Sequence, residues 1–132
     1  MSLWDSYKTS VFLCHQAVNC RINFAIISAH NPAGHNEHPY LNLRRDNELQ
    51  ACLDQQRLPH RSVIGSAPDL SFQEKSWIVL CDKTQAVTLA RQFEQNAIYW
   101  VEHGELFLVP VLMQQQEERL GRFSERLVLL SD

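Results

Sequence analysis

Two stretches of the chain are apolar at nearly every position: RINFAIISA (residues 21–29) and SWIVLC (residues 76–81). A strand with one wet face alternates, so unbroken apolar runs predict central strands covered on both sides. TSVFLCH (residues 9–15) is also rich in β-formers, and RSVIG (residues 61–65) reads as a short strand closed by Gly65. AIYWVEH and ELFLVPV flank Gly104 and predict a hairpin. Elsewhere the period changes to 3.6. Ala86, Leu89, Ala90 and Phe93 fall at i, i+3, i+4 and i+7, a helical stripe capped by Asp82 or Thr84 and ending near Asn96. Leu49, Cys52 and Leu53 mark another helix, from about Asn42 as N-cap to Gln56, with Pro59 beyond its end. A short helix is expected from Ser2, with Leu3, Trp4 and Tyr7 on one side. The tail, residues 113–127, reads as a polar helix with Leu120, Phe123 and Leu127 on one face.

Without its ends the order is strand, helix, strand, strand, helix, strand. The expected fold is therefore α+β: a ferredoxin-like βαββαβ core, about residues 21–111, with an extra N-terminal strand, a C-terminal hairpin strand and a C-terminal helix, all in one domain over 1–132. In that arrangement the first core strand has a neighbour on each side. The strand at 9–15 must then sit elsewhere than in a hairpin with it.

Right-handed crossovers fix the strand directions and bring three connections to one edge of the sheet. These are the polar loop at 30–41, the loop at 66–75 and the Glu94-Gln95-Asn96 turn. The first core helix starts there too, while Asp82 and Lys83 fall at the opposite edge. The edge gathers Asn31, Arg44, Arg45, Glu74, Ser76, Gln95 and Asn96. A helix N-terminus beside guanidinium groups suits carboxylate or phosphate. The expected function is binding of a small polar or anionic ligand, with catalysis left open. Arg44 and Arg45 would neutralise the ligand, Asn31 and Gln95 would orient it, and Glu74 would position an arginine or a proton. A Ser76–Glu74 nucleophile–base pair needs a third, orienting group, which the sequence does not supply. A plain tie between Glu74 and Arg44 or Arg45 is the simpler reading. The alternative function is a protein-interaction module without a small ligand, working through a sheet edge or through a homo-oligomer contact of the C-terminal helix.

The loop also carries His30, His35 and His38, whose spacing matches no metal signature, so a metal site there is a minor alternative. No cofactor is implied. A net charge of −3 and a pI near 6.0 disfavour a nucleic-acid partner. MSLWDSYKTS lacks the pattern of a signal peptide, and no apolar run has the length of a membrane span. Four cysteines with no zinc spacing then read as reduced thiols in the cytoplasm.

Four short pieces carry a resemblance. Ser28-Ala29-His30-Asn31-Pro32 is similar to a strand ending Thr-Ala-Trp-Asn-Pro, and Asn42 to Asn47 to an Asn- and Arg-containing helix start. Glu74-Lys75-Ser76 resembles a Glu-x-Ser before an apolar strand, and Phe93-Glu94-Gln95-Asn96-Ala97 a Phe-Gly-Gln-x-Ala. In this order, over roughly residues 7–109, they resemble the bacterial domain-of-unknown-function 3293 family. The resemblance implies no activity, but its motif positions coincide with the edge that topology selects. His30 stands in place of an aromatic and Glu94 in place of a glycine. Glutamate resists positive φ, so a left-handed turn before Gln95 is not expected.

Overall fold

A computed structural model describes residues 1–131. Three helices, α1 (Leu3–Tyr7), α2 (Pro39–Gln55) and α3 (Lys83–Gln92), accompany one eight-stranded sheet. The strands are β1 (Val11–Cys14), β2 (Phe24–Ile27), β3 (His60–Ser66), β4 (Gln73–Val79), β5 (Ala97–Glu102), β6 (Glu105–Pro110), β7 (Glu118–Arg122) and β8 (Leu127–Leu129). Their order is β7-β6-β5-β2-β4-β3-β1-β8, antiparallel except for the parallel pair β1–β8. The two apolar runs fall in β2 and in the second half of β4, which are neighbours at the centre, as burial on both faces requires.

The faces carry different cores. Ala25, Ile27, Trp77, Val79, Ile98 and Trp100 pack under Leu49 and Leu53 of α2 and Ala86, Leu89 and Ala90 of α3. Phe24, Ile26, Ile78 and Val101 alternate to the other face and meet Phe12, Val63, Leu106 and Phe123. Neither α2 nor α3 packs on that second face. The sheet covers it by curling, because residues 118–129 pair with β6 in their first half and with β1 in their second. One stretch of chain thus serves both ends of the sheet. Between its halves the 3₁₀ turn Phe123–Glu125 drops Phe123 into the interior, 5.5 Å from the Phe12 ring and 5.3 Å edge-on from Phe24. Arg126 clamps the seam with hydrogen bonds to the carbonyls of Lys8, Ser10 and Leu120.

The expected C-terminal helix is therefore corrected to two strands and a 3₁₀ turn. Leu120 and Phe123 do point to one core, yet Gly121 at φ +103° has no place in a helix. Pairing with β6 and β1, both distant in sequence, overrides the local period. The homo-oligomer contact assigned to that helix falls with it. The N-terminal strand finds its place as well: β1 adds to the outer side of β3, leaving β2 between β4 and β5.

Local chemistry explains the other elements. Asp82 caps α3 in a reciprocal box with Gln85. Helix α2 starts three residues earlier than expected, with Pro39 in its first turn and the His38 ring accepting from the Tyr40 amide. Asn42 is thus inside the helix, and its amide serves another purpose. The β5–β6 hairpin turns on His103 and Gly104, both at positive φ, as the tight two-residue turn demands.

Candidate functional site

Above the helix-side core, the polar loop is strapped to the rest of the edge. Asn31 adopts the left-handed conformation, φ +50°, which asparagine tolerates. Its side-chain oxygen accepts from the Glu37 amide and from Asn42 Nδ2, while its backbone N–H donates to Asn42 Oδ1. Its Nδ2 donates to Glu74 Oε2 at 3.3 Å. Ala33, also left-handed, donates its N–H to the Glu94 carbonyl at 2.7 Å. Buried Gln95 donates through Nε2 to the carbonyls of His30 and Phe93, both at 3.1 Å. Asn31, Glu74 and Gln95 thus meet at one edge, directly or through adjoining residues.

The arginines divide. Arg45 donates through Nε to the Ala29 carbonyl and through Nη2 to the Phe93 carbonyl, and its third nitrogen lies 3.6 Å from Glu94. A guanidinium at the C-terminus of α3 also meets the negative end of the helix dipole. Its donors hold the protein's own backbone. Arg44, one residue back, projects from the exposed side of α2 and pairs with Glu48 at 3.4 Å. Ser76 Oγ donates to the Glu74 carbonyl at 3.4 Å. The expected tie from Glu74 to Arg44 or Arg45 is replaced by contact with Asn31, and Arg45 pairs with Glu94 instead.

Glu94 overturns the expected obstacle to a left-handed turn, for it sits at φ +56°. The Glu94 amide donates to the Arg91 carbonyl and the Gln95 amide to Ala90, the paired bonds that end a helix through a left-handed residue. Those bonds offset the strain of a β-carbon there. Glu94→Gly should raise stability by about 0.5–1 kcal/mol, net of a surface ion pair of comparable size at most. Urea denaturation of the two proteins reads this; a loss of stability would show that the Arg45 contact outweighs the strain.

Strand alternation adds Ser28 and Tyr99, with Tyr7 beside them, to the residues that the sequence singled out. On β4, Trp77 faces the helices, so Ser76 and Glu74 face the curled interior with Ile78. Gly65 lies opposite Glu74 on β3, and a Cβ there would meet only ordinary contacts, so the inner face is roomy beside the carboxyl. Ser28 and Tyr99 alternate inward in the same way. Tyr99 donates its hydroxyl proton between the Tyr7 carbonyl, 2.7 Å, and Ser10 Oγ, 2.8 Å. Asn96 Nδ2 donates to the Tyr7 hydroxyl at 3.1 Å. Polar residues at the ends of otherwise apolar strands were the available signal.

Burial pushes the Glu74 carboxyl above the ordinary carboxylate value, against the opposing pull of hydrogen bonds from Ser28 and Asn31. Burial likewise raises the Tyr7 and Tyr99 phenols, and the nearby Glu74 charge adds to both. Among the described residues no cationic side chain lies within ion-pair distance of Glu74. On the other face of β4, buried Asp46 accepts from Lys75 Nζ at 2.6 Å and from Trp77 Nε1 at 2.8 Å. His30, His35 and His38 do not assemble as ligands; among the described residues no group of three His, Cys, Asp or Glu side chains could hold a metal ion. No described helix is long and apolar enough to cross a membrane.

A family model described as a protein of unknown function (DUF3293) matches residues 27–98. That span runs from the end of β2 into β5 and contains Asn31, Asn42, Arg45, Glu74 and Gln95. No curated protein and no solved structure matches the chain.

Proposed function

The chain belongs to the DUF3293 family of proteins of unknown function, and from the edge geometry we propose that it binds a small polar ligand where the polar loop crosses the open end of the curled sheet. The observation that carries this is Glu74, a half-buried carboxyl with an amide and a hydroxyl beside it and no cation. A carboxyl withdrawn from water without a counter-charge is costly, and such groups concentrate at functional sites. Asn31, Ser28, Ser76 and the Tyr7 hydroxyl supply hydrogen-bonding groups around it. Arg45 and Gln95 position the loop through its backbone carbonyls. The ligand class shifts from anionic towards neutral or cationic, because the Arg45 donors are committed and Arg44 stays apart. Glu74 can also hold or release a proton there, which keeps catalysis open.

Several coarser elements support the same reading. The order β5-β2-β4-β3, wholly antiparallel with α2 and α3 on one face, favours a ferredoxin-like core. A single domain over 1–132 is supported by the second core, which draws on residues from Phe12 to Leu127. Free cysteines, with the half-buried Cys81 thiol pushed up to about 11, favour a reducing compartment such as the cytoplasm.

Glu74→Gln tests the site. Folded Glu74 keeps its proton to higher pH than the unfolded chain does, so the folded state binds more protons across that window. Stability falls as pH rises from about 4.3, the unfolded value, through the raised folded one. The variant lacks this loss and gains on the wild type towards neutral pH, by at most about 1.4 kcal/mol per pH unit. Urea midpoints over this range check it; parallel curves would mean that Glu74 is not desolvated. A thermal-shift screen of amines, amides, amino acids, polyols, sugar phosphates and nucleotides then reads binding. A compound should raise the melting temperature of the wild type and leave the variant unmoved. An equal shift in both proteins, or no shift with any class, removes the proposal.

A further inference from the structure

Helix α2 buries Asn42, Asp46, Leu49 and Leu53 towards the sheet. With successive residues about 100° apart, Tyr40, Leu43, Asn47 and Ala51 fall on the opposite side. Together with Arg44 and Glu48 they line an open hollow of about 370 Å³. Tyr40 is 68% exposed and Leu43 is 55% exposed. Two large apolar side chains side by side on a helix surface are a poor way to meet water, and their flanks carry a specific charge pattern.

That pattern is self-complementary. Arg44 and Glu48 carry opposite charges one turn apart, symmetric about Asp46 in the chain. If two α2 helices lie antiparallel across a twofold axis near Asp46, each Arg44 meets the second copy's Glu48, and the contact occurs twice. The same operation sets Tyr40, the bulkiest residue of the stripe, within one residue of the level of the second copy's Ala51, the smallest. Within one helix, Arg before Glu is the weaker order of an i,i+4 pair, so the pair exchanges partners at little cost.

We infer that the outer face of α2 is a twofold self-association surface whose occupant is a second copy of this chain. The contact is independent of the ligand site, which lies on the inner side of the sheet. A single helix pair is a small interface, so the dimer is weak and depends on concentration. Sedimentation equilibrium of the full chain from about 1 μM to about 500 μM reads it. The wild type should move from monomer to dimer across that range. Leu43→Glu should weaken association about tenfold or more. Arg44→Glu and Glu48→Arg should each do the same, because each sets like charges across the axis. Mixing these two variants in equal amounts should restore wild-type association, since the mixed dimer recovers both cross pairs. The intrahelical pair stays broken in both, so this rescue belongs to the intermolecular contact alone. A wild type that stays monomeric throughout, a Leu43→Glu variant that dimerises normally, or a mixture without rescue overturns the inference.

Discussion

Phe123→Ala should destabilise the fold by about 3–5 kcal/mol, the cost of a deleted buried aromatic that leaves a cavity. Phe123 is fully buried and meets Phe12 of β1 and Phe24 of β2, about a hundred positions away in the chain. Against a typical total of about 5–15 kcal/mol this is a large fraction. The side chain also anchors the one bend through which residues 118–129 pass from β6 to β1. The neighbouring Leu129, 58% exposed, serves as the contrast, and its change to Ala should cost less than about 0.5 kcal/mol. Urea denaturation measures both; a loss below about 1 kcal/mol for Phe123 would mean that the interior relaxes around the gap.

Asp46→Ala is the second large effect, about 2–4 kcal/mol. The carboxylate is 2% exposed and accepts from both Lys75 and Trp77. Truncation leaves the indole N–H without an acceptor and Lys75 without its counter-charge. Lys75 is about one-third exposed and lies 4.0 Å over the Trp77 ring, so water and the ring recover part of its loss. Asp46→Asn keeps an acceptor for the indole and should cost less than the alanine change. Equal losses for the two variants would show that the charge, rather than the hydrogen bond to Trp77, sets the effect.

Much of the edge was legible because it follows from chain direction. Once β2, β4 and α3 are read from their periods, right-handed crossovers bring Asn31, Glu74 and Gln95 together, and the hydrogen bonds from Asn31 to Glu74 and from Gln95 to His30 show them meeting. The split between the arginines was not legible. Neighbours on a helix diverge by about 100°, and α2 begins at Pro39 rather than near Asn42, so its rotation could not be set from the start signal. Tyr7 and Tyr99 were missed because their meeting depends on how far the sheet curls, which no local pattern encodes. Spacing at 120, 123 and 127 fits a helical stripe as well as a bent strand, and only the distant partners β6 and β1 decide between them. Glu94 shows a different limit. A residue type disfavoured at positive φ is held there by two backbone bonds that any residue can make.

A single closing segment also dictates an order of events. Residues 127–129 pair with residues 12–14, a separation of more than a hundred positions, and long-range parallel pairing is entropically slow to form. During synthesis β1 and β6 both wait, with bare hydrogen-bonding rims, until residues 118–129 leave the ribosome. Any nascent chain stalled short of Glu118 would expose two templates for pairing with its neighbours, so the interval before that segment emerges is when this protein is most open to aggregation.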